Sequence, residues 1–234
     1  QIAHGLRSNG NMDFEDINEV VPWFHAALMC GQDLDEAQPF NPRLFKTHQL
    51  YEKLPETAKF IVLFRQPEAI FWTRYQRYCN SSWTGYAAVP AASISPELYA
   101  SGMFAHMAGN EVWHFMKSWL SCCVGEDRVL FVTYEDLVQF PAEEIHRIAH
   151  FLLPRHRIND ELLALVRKQS SKSFMQEHIT KFDDHFVLKH LPVFHQDVVA
   201  YGRTPRIPKV TQSQHEELPL HIRQLFEARW RQFL

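Results

Sequence analysis

Two short apolar runs dominate the hydrophobic pattern of this chain. They occupy residues 59–65 (KFIVLFR) and 128–134 (RVLFVTY), and each is bounded by charged or polar residues. Runs of this length without polar alternation are typical of strands that are buried on both faces of a parallel sheet. The pattern therefore predicts a strand in each run, and a shorter strand over residues 43–46.

Helix-start signals follow both runs. Pro67 and Glu68 open a helix that we predict to reach about Tyr78, and Pro141 opens an amphipathic helix. Further helices are predicted over residues 111–122, 160–168 and 220–233. Alternating strands and helices indicate an α/β fold, in which a parallel sheet is flanked by helices. No repeat or linker divides the sequence, so we predict a single domain over residues 1–234.

Composition and charge exclude several classes of function. The formal net charge of −3 gives no broad positive field, so we expect no nucleic-acid partner. The longest apolar runs are much shorter than the roughly 20 residues of a membrane-spanning helix, so we expect no membrane insertion. The four cysteines show no C-x-x-C spacing and no targeting segment is recognisable, which favours reduced thiols in a cytoplasmic protein.

Basic side chains follow the predicted strands at their carboxyl ends. Lys46 and His48 close the first strand, Arg65 closes the second, and Tyr134 closes the third. Ligands of open α/β sheets bind at this edge. A lysine, a histidine and an arginine that converge there can bind an anion and supply a general base. Because residues two apart in a strand point to the same face, we expect Lys46 and His48 to reach one bound group.

Four sequence motifs resemble, in order and spacing, those of the soluble sulfotransferases that use 3′-phosphoadenosine 5′-phosphosulfate. They are residues 43–48 (RLFKTH), 65–73 (RQPEAIFWT), 134–137 (YEDL) and 169–175 (QSSKSFM), which are similar to the family's RxxKTH, RNPKDVAVS, YEDL and HTSFxxM. Residues 113–119 are similar to its WxHxxxWW helix. The resemblance covers nearly the whole chain and implies the family's α/β fold, which is like that of P-loop nucleotide hydrolases.

For catalysis, the resemblance implies transfer of a sulfuryl group from this donor to a hydroxyl or amine of a small-molecule acceptor. His48 would accept the proton of the acceptor, and Lys46 would neutralise charge on the transferred group. The donor is a co-substrate, and no metal is implied. The aromatic residues between positions 71 and 115 fit either a lid over an aromatic acceptor or ordinary packing, so the acceptor stays open, as does the oligomeric state.

For nucleotide binding, the resemblance implies a second set of residues. Arg65 and Thr73 would hold the 3′-phosphate, and Tyr134 would lie near the adenine. Ser170 and Arg206 are the further cofactor-binding candidates.

The sequence departs from the family pattern in three places. The family's PKSGTTW loop, which wraps the 5′-phosphosulfate, is not in the sequence and would precede Gln1. We therefore expect an N-terminally truncated chain that is marginally stable or aggregates when produced alone. Lys172 stands where the family has a phenylalanine that stacks on adenine, and Pro208 replaces a glycine beside Arg206.

Three other interpretations compete with a sulfotransferase. A non-catalytic sulfotransferase-like binding domain is the main alternative, and a nucleotide phosphotransferase is less favoured because it requires a G-x-x-x-x-G-K-[ST] loop. A zinc site is suggested by the 14 histidines, of which His146 and His150 lie four residues apart on a predicted helix. The intervening residues lack the glutamate of an H-E-x-x-H motif, so we expect no metal there.

Overall fold

The computed structural model describes residues 1–80, 95–100, 109–123, 125–155, 158–190 and 219–231. The chain divides into two compact units. Unit 1 consists of Gln1–Thr47 and Asp136–Lys209, and unit 2 consists of His48–Glu135 and Val210–Leu234. A single domain over residues 1–234 stays a prediction.

Unit 2 contains a parallel pair of strands. Strand β1, Phe60–Phe64, pairs with strand β2, Val129–Thr133, and their register places Phe60 opposite Val129 and Phe64 opposite Thr133. Both strands were predicted from the apolar runs, and both are confirmed. The burial predicted on both faces is wrong in the residues described, because Leu63 of β1 is 52% exposed and only Val62 and Val132 are buried. Val62 is buried, as expected for a strand whose face packs against a helix.

The helix that covers this pair of strands is α5, Gly109–Cys123. Its residues Trp119 and Cys123 form a buried cluster with Val62 of β1. Phe60 meets Trp119 edge to face, with ring centroids 5.2 Å apart. Aromatic side chains bury large apolar areas, so this cluster is a main source of stability for the two strands.

A second core in unit 2 forms around α3, Pro67–Asn80, the helix predicted to start at Pro67. The helix contacts α11, Leu220–Arg231. The buried members of this core are Phe71, Trp72, Tyr99, Ala100, Ile222 and Phe226. Tyr99 follows the short helix α4, Pro96–Leu98. Elsewhere in unit 2, a 3-10 helix at Tyr51–Lys53 precedes β1.

Unit 1 is helical in the residues described. Helix α1, Ile2–Arg7, contacts both α7, Pro141–Leu152, and α8, Asp160–Gln169. A Cβ added at Gly5 would lie 3.1 Å from a methyl group of Val166, so the backbone of α1 approaches α8 closely. The remaining helices with residues in unit 1 are α2 (Ile17–Val20), α6 (Tyr134–Gln139), α9 (Lys172–Glu177), a 3-10 helix (Ile179–Phe182) and α10 (His185–His190).

A buried arginine fixes the irregular segment of unit 1. The Arg7 guanidinium donates to the side-chain oxygen of Gln38 at 2.6 Å and to the carbonyl oxygens of Val20, Phe40 and Pro42. Burial lowers the pKa of Arg7 to about 10, which leaves it charged at neutral pH. A buried charge needs such acceptors, so one side chain ties the end of α2 and the segment 38–42 to α1.

The predicted strand over residues 43–46 is wrong. Lys46 alone forms an isolated parallel bridge, with Trp23. The side chain of Gln38 accepts from the N–H of Leu44 and donates to its carbonyl oxygen, both at 2.9 Å. Because a side chain satisfies both backbone groups of Leu44, that residue has no need of a neighbouring strand.

The predicted helices agree closely with the structure. The regions predicted as 111–122 and 160–168 are helical over α5 and α8, and the last predicted helix is described as far as Arg231. The cysteines whose side chains are described, Cys30, Cys122 and Cys123, are free thiols. In the part of the chain that the structure describes, no helix combines the length and the apolar character needed to cross a bilayer.

Two glycines of unit 1 allow a matched test of packing against backbone strain. Gly10 and Gly31 both have positive φ angles, 77° and 73°, but a Cβ at Gly10 would lie 2.4 Å from Leu165 Cδ2 while one at Gly31 would meet nothing within 4 Å. Gly31→Ala should therefore lower the free energy of unfolding by about 1–2 kcal/mol through backbone strain alone. Gly10→Ala should lower it by about 0.5–1.5 kcal/mol more, because the partly exposed Leu165 side chain must leave its preferred rotamer. Urea denaturation of both variants measures the difference, and equal losses would contradict the close packing of Gly10 on α8.

Candidate functional site

Arg65 and Tyr134 lie side by side at the carboxyl ends of the two strands. Each residue directly follows its strand, and the in-register pairing of β1 with β2 brings these positions together. The guanidinium carbon of Arg65 lies 4.6 Å from the centroid of the Tyr134 ring. This is a cation–π contact, and it holds the flat guanidinium against an aromatic face. Tyr134 remains 42% exposed, so part of its ring is open to a ligand.

Thr73 meets the same guanidinium from helix α3. Arg65 Nη1 donates a hydrogen bond to Thr73 Oγ1 at 3.1 Å. The Thr73 hydroxyl in turn donates to the carbonyl oxygen of Ala69 at 2.8 Å, which fixes the orientation of its oxygen. Because the connection between β1 and α3 is short, the first turns of the helix lie near the end of the strand. The structure thus brings together three of the predicted cofactor-binding residues.

One donor of Arg65 is left without a partner among the described residues. Its Nε atom is buried and makes no hydrogen bond. Buried donors in native proteins are nearly always paired, and an unpaired one often marks a place where an ion or ligand binds. The guanidinium is oriented on two sides, by the Thr73 hydroxyl and by the Tyr134 ring.

Glu135 is a residue of this site for which the sequence analysis named no role. Its Oε1 atom accepts a hydrogen bond from the backbone N–H of Gln66 at 3.1 Å. Gln66 immediately precedes α3, so the carboxylate satisfies a donor at the start of that helix. The contact fastens the connection after β1 to the end of β2. Its sequence signals were its place two residues after β2 and within the YEDL motif.

His48 lies in unit 2, and its side chain is exposed. The segment that follows it is anchored to helix α5. The hydroxyl oxygen of buried Ser118 accepts from the N–H of Tyr51 and donates to Glu52 Oε2, both at 2.8 Å. The guanidinium of Arg128 also bonds the Tyr51 hydroxyl. The histidine therefore precedes a fixed turn.

Lys46 lies in unit 1. Its ammonium nitrogen is 4.0 Å from Asp184 Oδ1 and 4.9 Å from the centroid of the Trp23 ring. Because residues 43–46 form no strand, strand geometry gives no reason for Lys46 and His48 to share a face. Their convergence on one group stays a prediction.

Ser170 lies in unit 1 as the cap residue that ends α8. Its hydroxyl donates to the carbonyl oxygen of Val166 at 2.8 Å, so its oxygen can still accept a hydrogen bond. Lys172 is exposed at the first position of α9. Arg206 and Pro208 lie outside the described residues.

The aromatic residues considered for the acceptor divide into two groups. Tyr75 and Tyr99 pack in the core around α3, and Phe115 packs in the cluster beneath the strands, so these three contribute to packing. Trp83, Tyr86 and Phe104 lie outside the described residues.

Two groups of described side chains contain histidines and resemble sets of metal ligands. The rings of His146 and His150 meet edge to face on α7, with centroids 4.4 Å apart. Within the ranges described, the ligand atoms of Asp16, Asp183 and His185 lie within 4.8 Å of one another.

In the cluster of Asp16, Asp183 and His185, the side chains form hydrogen bonds that stabilise the local structure. Asp16 Oδ2 accepts from the N–H of Phe186 at 3.0 Å, and Asp183 Oδ1 pairs with His185 Nδ1 at 2.7 Å. Burial lowers the pKa of His185, but the hydrogen bond and the negative charges of Asp183 and Asp16 outweigh it and raise the pKa overall. These contacts fix the start of α10.

The site and fold described so far are those of an α/β protein with an oriented cation, a hydroxyl and an aromatic ring at the carboxyl ends of parallel strands. Comparison with known proteins gives the family. Residues 10–189 match the family described as Sulfotransferase domain, and the chain belongs to that family. The predicted family and the predicted α/β fold are thereby confirmed.

Three relatives illustrate the similarity. Cytosolic sulfotransferase 12 of Arabidopsis thaliana is 26% identical over 171 residues, which are 69% of this chain and 50% of that protein. Sulfotransferase 1B1 of Canis lupus familiaris is 26% identical over 190 residues, 76% of this chain and 61% of that protein. Sulfotransferase 6B1 of Homo sapiens is 29% identical over 136 residues, 53% of this chain and 42% of that protein. The chain thus spans about half the length of the curated relatives that it matches.

The hydrogen bond between Arg65 and Thr73 can be tested without any ligand. Thr73→Val keeps the shape of the side chain but removes the oxygen that accepts from Arg65 Nη1. We expect the free energy of unfolding to fall by about 1 kcal/mol, the usual net value of such a bond. Thr73→Ser is the matched control and should retain most of it. If the valine and serine variants have equal denaturation midpoints, the bond does not hold Arg65 in solution.

Proposed function

We propose that this protein is a sulfotransferase that moves a sulfuryl group from 3′-phosphoadenosine 5′-phosphosulfate to a hydroxyl or amine of a small-molecule acceptor. The observation that carries the proposal is the arrangement of Arg65, Thr73 and Tyr134 at the ends of β1 and β2. Family membership supports sulfuryl transfer in general. The identity of the donor and the class of acceptor are parts of the proposal.

The 3′-phosphate of the donor is the proposed ligand of Arg65. A guanidinium presents several N–H donors in one plane, which suits the several acceptor oxygens of a phosphate. Arg65 Nη1 donates to Thr73 Oγ1, so the phosphate would be held beside that hydroxyl. The Thr73 oxygen is held beside the guanidinium, and the open part of the Tyr134 ring suits stacking with adenine. Ser170 and Arg206 complete the proposed nucleotide site.

The proposed chemistry is an in-line displacement at sulfur. The acceptor oxygen or nitrogen forms a bond to sulfur while the bond from sulfur to the bridging phosphate oxygen breaks, and 3′-phosphoadenosine 5′-phosphate leaves. His48 takes the acceptor's proton, since histidine side chains titrate close to neutral pH. The ammonium of Lys46 stabilises the charge that develops on the bridging oxygen. Positioning and charge stabilisation supply the rate, by analogy with phosphoryl transfer.

A cytoplasmic location is part of the proposal, supported by relatives that are named cytosolic sulfotransferases. The main alternative is a non-catalytic binding domain, for which the lysine at position 172, exposed at the start of α9, is the supporting observation. The two differ in turnover, which the assay of the His48 variants measures, whereas the Arg65 experiment tests nucleotide binding. Both experiments use the full-length protein.

Arg65 should discriminate nucleotides by their 3′-phosphate. Arg65→Ala should weaken binding of 3′-phosphoadenosine 5′-phosphate by about 1.5–3 kcal/mol, because a charge-assisted hydrogen bond is lost. Binding of adenosine 5′-phosphate should hardly change. Isothermal titration calorimetry measures both, with Arg155→Ala, which replaces an exposed arginine after α7, as the matched control. Equal losses for the two nucleotides would show that Arg65 is structural.

His48 should govern turnover rather than nucleotide affinity. His48→Asn should lower kcat by about 10²–10⁴-fold, the usual contribution of a general base. The parental rate should fall at acid pH as the imidazole becomes protonated, and Lys46→Met should lower the rate without removing that acid limb.

The assay is transfer of labelled sulfate from the donor to a panel of phenols, alcohols and amines. His146→Asn, which replaces an exposed histidine of α7, is the control and should behave like the parent. A His48→Asn variant with the parental rate and pH profile would refute the role of His48. No transfer by the parent, with nucleotide binding intact, would favour the binding domain.

A further inference from the structure

The ammonium of Lys46 lies between an aromatic ring and a carboxylate of unit 1. Its nitrogen is 4.9 Å from the centroid of the Trp23 ring and 4.0 Å from Asp184 Oδ1. The lysine side chain is 40% exposed, whereas that of Asp184 is 11% exposed. The partly exposed ammonium group of Lys46 thus lies near a carboxylate that is mostly buried.

Asp184 is held in place independently of Lys46. Its Oδ1 accepts from the side-chain amide of Asn18 at 2.8 Å. Asn18 is in turn fixed by Asp16, whose Oδ1 accepts from both the backbone and the side-chain N–H of Asn18 at 2.8 Å. The backbone of Asp184 has a φ of 59°, a left-handed conformation that aspartate and asparagine adopt more readily than most residues.

The backbone of Lys46 is fixed as well. Its N–H donates to the carbonyl oxygen of Pro22, and its own carbonyl oxygen accepts from the N–H of Phe24, both at 2.9 Å. These two bonds form the bridge that holds Trp23 opposite Lys46. The flexible part of this arrangement is therefore the four-carbon stem of the lysine, which would otherwise sample many rotamers.

We propose that Asp184 is a positioning residue for Lys46 and, together with the Trp23 ring, directs its ammonium toward the reacting sulfuryl group. The inference rests on the proposed function, in which Lys46 stabilises the transferred charge. A partly exposed ion pair and a cation–π contact are each weak, so they restrict the direction of the ammonium without neutralising it against an incoming anion. A small displacement of a catalytic group is enough to lower the rate markedly.

Asp184→Asn is the matched variant for this proposal. It keeps an oxygen that can accept from Asn18 and a residue type that tolerates the left-handed backbone, and it removes only the charge. We expect kcat to fall about 5–20-fold while the KM for the donor changes less than about twofold. Asp183→Asn is the control, since Asp183 pairs with His185, and it should leave kcat within about twofold.

A double-mutant cycle separates positioning from a merely structural role. In a Lys46→Met background, Asp184→Asn should cause no further loss of kcat beyond about twofold, because the group that it orients is gone. Losses that multiply would mean that Asp184 acts on the fold rather than on Lys46, and they would overturn the proposal.

Magnetic resonance gives a readout that does not depend on turnover. After reductive ¹³C-dimethylation of the lysines, the methyl signal of Lys46, identified by its loss in Lys46→Met, should be shifted by the ring current of Trp23. Asp184→Asn should move this signal toward those of exposed lysines, whereas Asp183→Asn should not. If Asp184→Asn does not fold, high salt should produce the same movement in the parent, since salt screens a partly exposed pair.

The outcomes distinguish the two proposals. If Lys46→Met retains full turnover, the proposed role of Lys46 in sulfuryl transfer fails, whatever the spectrum shows. If Lys46→Met loses turnover but Asp184→Asn keeps both the parental kcat and the parental Lys46 signal, only the positioning role of Asp184 fails.

Discussion

The parallel hydrogen-bond ladder between β1 and β2 is the constraint on which the proposed nucleotide site depends. Its register places the last residues of the two strands, Phe64 and Thr133, opposite each other, so the residues that follow, Arg65 and Tyr134, become neighbours. A slip by one residue would move Tyr134 away from the guanidinium and would also turn buried Val62 away from α5. Core packing therefore selects the same register that the site requires.

The two cations of the proposed site are held in chemically different ways. Arg65 is oriented by a hydroxyl and an aromatic ring, which suits a planar group that binds a fixed phosphate. Lys46 is oriented by a carboxylate and an aromatic ring, which suits a compact point charge that must meet charge as it develops. In both cases the ring supplies a face that guides the cation without competing for its hydrogen bonds to a ligand.

The sequence predicted the parts of the structure that depend on local pattern. The two strands and the helix starting at Pro67 followed from apolar runs and start signals. The resemblance to the family implied that Arg65, Thr73 and Tyr134 bind one nucleotide. The predicted strand over residues 43–46 is wrong because the side chain of Gln38 forms hydrogen bonds with the N–H and the carbonyl oxygen of Leu44. That contact depends on the geometry of a loop, and loop geometry leaves no periodic pattern in the sequence.

The surroundings of Lys46 were beyond the reach of sequence reasoning for a similar reason. Asp184, which lies near Lys46, occupies a turn before α10 in a left-handed backbone conformation. Nothing in the pair of aspartates at 183 and 184 indicates which one faces a lysine far away in the chain. The family motifs identified Lys46, and only the three-dimensional structure identifies what surrounds it.

The long crossover between β1 and β2 also has a consequence for synthesis of the protein. β1 starts at Phe60 and its partner starts at Val129, so at about 5–20 residues per second the ribosome needs roughly 4–14 seconds to supply the second strand. During that time the apolar segment 60–64 has emerged without the edge that satisfies its backbone. An unpaired apolar strand is a template for intermolecular pairing. The run that sets the register of the site is therefore also a segment that is prone to intermolecular pairing while the chain is being synthesised.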